Sequence, residues 1–337
     1  MQGAVENCRP RSEKALQQSI RLSLAALGTA ALSIASMPGV GAKPVEVAQG
    51  TAADLGVMGI SLKDVVQPRV GLQGALQGAG TPNQAGIGGF LPLKVNANSI
   101  WFLDALANAN FADYGNYSSI INTTVAGTTI STSSRLGYRW LNADRSWMYG
   151  INAGYDTRPM ATGPADTGVS VKSRSTVFFQ QAAVNAEAVS DTWAFNAYAL
   201  IPTGKTEGQL NSVYQGGSLN TYGLDAGYNL TPELQASVGY YYQHRDQEDV
   251  DGSGVRGRLA YDITQGLTAG VNISYDEAYD TRVSADLSVR FGGPSTTAAK
   301  KKKWESPTIN ALTASPKNRD VRVHDTYFGH TTFCSFC

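Results

Sequence analysis

Four groups of residues have the types and spacing that chemistry needs. The stretch "DVDGSG", Asp249 to Gly254, opens like a calcium-binding loop, with acidic side chains at its first and third positions and glycine at the sixth. Its twelfth position is Ala260 and not the bidentate glutamate such a loop requires. It therefore reads as a polar turn, with divalent binding among Asp246, Glu248, Asp249 and Asp251 as the weaker alternative. His324, His330, Cys334 and Cys337 are zinc-ligand types, and "CSFC" has half of a zinc-knuckle spacing, but no visible fold holds them. His244, in "YYYQHRDQED", has acidic neighbours and no serine nucleophile motif, so it reads as a solvated loop-edge residue. No catalytic residue, cofactor or metal is expected. The fourth group is larger: Arg135, Arg139, Asp156, Asp225, Arg256, Arg258, Asp262, Asp286 and Arg290 all alternate with apolar residues. Each unpaired charge would cost several kcal/mol in a dry core, so these side chains need water or one another.

The elements that carry them are strands. Between Ser134 and Pro159, "SRLGYRWLNADRSWMYGINAGYDTRP" places Leu136, Tyr138 and Trp140 on one parity and Arg135, Gly137 and Arg139 on the other. After the polar turn the pattern resumes, with Trp147, Tyr149, Ile151, Ala153 and Tyr155 opposed to Met148, Gly150, Asn152, Gly154 and Asp156. Strict period-two alternation predicts a hairpin with one apolar and one polar face. Twelve such segments run from "RVGLQGALQGAG" to "TRVSADLSVRFG", each about ten residues long, the length that a tilted strand needs to cross hydrocarbon. Short links ("VNAN", "NADR", "DT", "TPE", "QG") follow the even-numbered segments, and long polar links follow most odd-numbered ones. A soluble sandwich has no reason to gather its long loops at one end, whereas an outer-membrane barrel does so. The apolar parity is then expected to face lipid and the charged parity to line the lumen, pairing in opposite signs across neighbouring strands. Trp101, Trp147 and Trp193 at strand starts, with Tyr155, Tyr242 and Tyr275 near strand ends, are expected to form two lipid-facing aromatic girdles.

Equal numbers of basic and acidic residues, 27 each, argue against a nucleic-acid partner. At the N-terminus, Arg9, Arg11, Lys14 and Arg21 precede "LSLAALGTAALSIA" and the small residues Val40 and Ala42, the pattern of a secretory signal peptide cleaved before Lys43. Beyond it the chain has only Cys334 and Cys337, so no disulfide framework is expected. The expected organisation is a signal peptide (1–42), a short periplasmic linker (43–68), a twelve-stranded antiparallel transmembrane outer-membrane β-barrel (69–292) and a disordered polar tail (293–337).

Within 69–292, "GFLPL" followed by "SIWFLDALANANF", then "LGYRWLNADRSWMYGINAGYD" and the closing "SADLSVRF", resemble the β-domain of inverse autotransporters, the intimin and invasin group. The resemblance implies a periplasmic N-terminus, assembly by the barrel-assembly machinery, and a C-terminal passenger that leaves through the pore. The segment before the first strand is too short for the peptidoglycan-binding module of many relatives. The residues after Phe291 leave no room for an immunoglobulin-like repeat of about a hundred residues, although an extended tail of about a dozen residues could thread the barrel. The expectation is a monomeric, non-enzymatic anchor and translocator with little or no passenger, exported to the outer membrane of a Gram-negative-type envelope, with outer-membrane lipid as its surroundings. A small porin-like channel is the alternative, and a soluble periplasmic β-protein is less favoured.

Overall fold

The computed structural model describes residues 61–327 apart from 77–79, 112–119, 122, 124, 126, 163–174, 212–213, 246–250, 265 and 293–305. The signal-peptide segment and "CSFC" lie outside the described residues. Fourteen strands come before Gly292: β1 (Arg69–Leu76), β2 (Gln84–Val95), β3 (Ser99–Asn110), β4 (Thr129–Leu141), β5 (Trp147–Thr162), β6 (Ser175–Ser190), β7 (Trp193–Pro202), β8 (Glu207–Gln209), β9 (Tyr214–Ser218), β10 (Asn220–Asn229), β11 (Leu234–His244), β12 (Gly252–Thr264), β13 (Leu267–Asp276) and β14 (Asp280–Phe291). Short β8 and β9 belong to the long link after β7. The other twelve pair antiparallel in chain order, with β7 beside β10, and β1 joins β14 from Val70 opposite Phe291 to Leu76 opposite Ala285. The sheet closes on itself and has no free edge. These twelve coincide with the twelve alternating segments of the sequence.

Burial settles which face of the opening hairpin looks inward. Along β4, Ser131, Ser133, Arg135 and Arg139 are buried, while Leu136 is 51% exposed; on β5, Ile151 is 54% exposed and Asn152 and Asp156 are buried. The exposed parity is the apolar one, the inverse of a water-soluble protein. The outer wall carries a band of exposed Val, Leu, Ile and aromatic side chains, and the inner wall is polar.

The segment beyond β14 departs from the sequence expectation. Residues 306–327, expected to be part of a disordered tail, form a short helix, α2 (Pro307–Ala311), an extended run, and a strand, β15 (Val323–Tyr327), that pairs antiparallel with β9. A short helix ahead of the barrel, α1 (Leu62–Val65), lies in the segment expected to be linker. The physical reason is that most of the tail is shielded from solvent. It lies inside the barrel, where wall side chains satisfy its backbone. A period-two signal was present in "VRVHDTY": Val321, Val323 and Asp325 are buried, and the residues between them less so.

Candidate functional site

The lumen brings the charged parity together as ion pairs. Of the four between wall strands, only one joins neighbouring strands as expected; in the other three the long arginine side chain crosses a glycine of the strand between, Gly150, Gly239 or Gly270. Arg135 on β4 and Asp156 on β5 are both fully buried, and the guanidinium donates to both carboxylate oxygens at 2.6 and 2.8 Å. Arg139 forks onto Glu187 of β6 at 2.9 and 3.1 Å. Its guanidinium also stacks 4.4 Å from the centre of the Phe102 ring, in a space that exists because residue 137 is glycine; a Cβ there would collide with the ring. Arg256 donates to Asp225 at 2.8 Å, and Arg258 to Asp286 at 2.9 Å. Asp262 accepts a hydrogen bond from Thr268 at 2.5 Å, and Arg290 donates to the Thr313 carbonyl of the tail. All nine residues named from the sequence thus point inward. Asp104, Glu187 and Arg158 are further inward charges, on the same parities as Phe102, Asn185 and Asp156, so the alternation that exposed the nine also marked these three.

The tail runs the length of this lumen. At the short-turn end, Asp191 in the β6–β7 turn accepts from the Thr308 hydroxyl at 2.7 Å and from its backbone N–H at 3.2 Å, fixing α2. Arg139 then holds the Leu312 and Ala314 carbonyls at 3.0 and 2.7 Å. Ser315 donates to Asp104 at 3.0 Å, and Arg319 pairs with the same carboxylate. Asn318 takes a left-handed backbone (φ 55°), which an Asn tolerates. Its carbonyl accepts from Arg135 on β4 at 3.2 Å and its side chain from Arg256 on β12 at 2.9 Å, so one residue bridges opposite walls. At the long-loop end, Arg158 donates to the Val321 carbonyl at 2.9 Å, and Arg322 lies 4.4 Å above the Tyr241 ring. Asp325, fully buried, accepts the backbone N–H groups of Ile121 and Thr123 from the β3–β4 link at 2.9 and 2.6 Å.

Apolar clusters close both ends around the tail. At the short-turn end, Leu62 and Val66 pack with Ile309 and Leu312 against Ile100, Phe102 and Met148. At the long-loop end, Ile120, Met160, Phe179 and Leu210 pack around Val321 and Val323. The tail leans on the β3–β6 wall, leaving a crevice of about 1070 Å³ against β10–β14 and β1.

Outside, the girdle residues lie on the exposed parity, with Trp101 and Trp193 each 44% exposed and Tyr155, Tyr242 and Tyr275 exposed beyond them. At the short-turn end the rings are continuous. Trp101, Tyr138, Trp140, Tyr149, Trp147, Phe195, Trp193 and Tyr228 follow one another with centroids 4.8 to 6.3 Å apart. His244 faces outward and stacks on Tyr242. Of the acidic loop, Gly252 to Gly254 begin β12, and Asp246, Glu248 and Asp249 lie outside the described residues.

No family model matches the sequence, and no curated protein matches it. Among solved structures, a chain from the study "Unveiling the Mechanism Behind the in-meso Crystallization of Membrane Proteins" is 12% identical with a TM-score of 0.52, over 77% of this chain and 100% of that one. An outer membrane channel from Pseudomonas putida F1 is 13% identical with a TM-score of 0.42, over 66% and 94% of the two chains. The KdgM porin is 8% identical with a TM-score of 0.37, over 66% and 99%. At such identities the likeness to the first chain concerns the fold alone. Together with the closed ring of strands and the apolar outer wall, it makes this chain a twelve-stranded antiparallel transmembrane β-barrel of the outer-membrane kind.

Proposed function

We propose that the protein is a membrane anchor and translocator of the inverse-autotransporter kind, whose barrel holds its own C-terminal segment on a path from the periplasm to the cell surface. One observation carries the reading: residues 307–327 enter at the short-turn end, cross the lumen on hydrogen bonds from Arg139, Arg135 and Arg158, and pair with β9 among the long loops. A length of its own backbone laid through the lumen narrows the path that a solute channel would need. An export barrel needs a wall able to hold extended backbone, and guanidinium groups presented to carbonyls do this without regard to side-chain sequence. The intimin and invasin likeness of "LGYRWLNADRSWMYGINAGYD" points the same way. On this reading the short turns are periplasmic, the long loops extracellular, the barrel is a monomer inserted by the barrel-assembly machinery after signal-peptide cleavage, and it catalyses no reaction.

The crevice beside the tail favours the second reading, a porin-like channel. Planar-bilayer recording separates the two. The full chain is expected to be nearly silent, and deleting residues 294–337 to open a steady conductance. Steady conductance that is the same with and without the deletion would overturn the translocator in favour of the channel.

A further inference from the structure

The crevice beside the tail has a charge imbalance that the wall does not create. Five arginines and five carboxylates of the barrel line it, so the wall alone is neutral. The tail adds Lys317, Arg319 and Arg322 against Asp320, and this leaves an excess of two positive charges. Arg319 is answered by Asp104, and Arg322 lies over the ring of Tyr241. Lys317 is different. It projects into the crevice as an exposed side chain and makes no hydrogen bond or ion pair among the described residues. The charges acting on it are Arg258 and Arg256 on one side of the balance and Asp225 and Glu187 on the other. These carboxylates are already engaged, Asp225 by Arg256 and Glu187 by Arg139, and Arg258 is held by Asp286.

An ammonium held between protein walls with every neighbouring carboxylate committed draws its counter-charge from solution. Lysine and arginine donors converging on a polar cavity suit a compact oxyanion, which can accept from several of them at once. We infer that the crevice is a binding site for a small oxyanion of phosphate size, and that the tail, by supplying Lys317, completes it. The backbone favours this placement: the left-handed turn at Asn318, pinned to Arg135 and Arg256, fixes the residue before it beside the crevice. The inference rests on the threaded tail proposed above.

The test is calorimetric titration of inorganic phosphate into the full chain in micelles at constant ionic strength, alongside Lys317→Gln, Lys317→Arg and, in the exposed β4–β5 turn, Arg145→Gln. Saturable binding that weakens about tenfold in Lys317→Gln, the loss of one charge-assisted contact, and is retained in Lys317→Arg and Arg145→Gln is the expected result. Absence of saturable binding, or equal binding by Lys317→Gln, would overturn the site. Because Lys317 makes no hydrogen bond or ion pair among the described residues, the glutamine variant should keep the heat-modifiable gel migration of the parent. Threading is checked separately with Ser218→Cys and Val323→Cys, opposed in the β9–β15 register, in a chain whose own cysteines are serine. A disulfide without phosphate binding refutes the anion site and leaves the translocator reading intact. Failure of the disulfide to form refutes both.

Discussion

A guanidinium sealed against one carboxylate is a commitment that neither side chain can leave alone. Asp156 takes two contacts from Arg135, one from Ser133 at 2.5 Å and one from Gln181 at 2.8 Å. Replacing it by asparagine keeps the shape and strands a buried cation, so Asp156→Asn should cost about 3 to 5 kcal/mol. The double change Arg135→Met with Asp156→Leu should cost less than that single change, because no orphaned charge is left. Urea unfolding in micelles measures both, and a double variant less stable than Asp156→Asn would show that Arg135 matters chiefly through Asn318 of the tail. Charge, parity and strand position of this pair could be read from the sequence, since Arg135 and Asp156 alternate with apolar residues. That Arg135 also holds Asn318 could not, because an extended run such as "ASPKNRD" has no periodicity to announce its partners.

At the scale of an element, a strand in this wall has one face in lipid and one in the lumen, and a new charge costs according to which face receives it. Val271 shares its parity with Ile273 and Tyr275, both more than half exposed, whereas Asn272 lines the crevice. Val271→Arg should destabilise by about 2 to 4 kcal/mol and Asn272→Arg by clearly less, read as the shift in heat-modifiable migration. Alternation alone would grant the same tolerance to Asn152, also inward. There the structure reverses the expectation: Asn152 is 3% exposed and bonded to Glu187 and Asn185, so an arginine has no room beside the tail. The cap of β8, β9 and β15 invites a different measurement. Its His324 contacts the Ala278 carbonyl at 3.1 Å under the ring of Tyr279, and burial holds its imidazole below the ordinary histidine value, against the opposing pull of Asp325. A depressed histidine stabilises the fold while neutral, so its contribution is complete above about pH 6.5 and is lost as the pH falls through the lower folded value. Proteolysis at the cap should therefore speed up on acidification, and His324→Gln should flatten that dependence; an equally steep profile in the variant would assign the effect to the neighbouring carboxylates.

Over the whole molecule, what was legible followed from how the barrel meets its two solvents. Lipid outside and a polar interior impose opposite preferences on successive residues, so all twelve wall strands, the asymmetry of the links and the inward charges such as Arg256 and Asp286 are written in period two. Before "VRVHDTY" the tail obeys no such rule, because its surroundings are a packed lumen that changes from apolar at Leu312 to charged at Arg319. This arrangement also fixes how the molecule would respond to force. A pull on the outer end of β15 acts along the strand axis, loading its bonds to β9 in shear, so that they share the tension and do not peel one by one. What tension passes inward meets the arginine contacts in series and then α2, whose Ile309 and Leu312 are wedged with Leu62 and Val66 inside the short-turn mouth. The wall would have to widen or the helix unwind before the tail could slip, which makes the barrel a cleat for its own chain, with tension from outside drawing the stopper tighter into its seat.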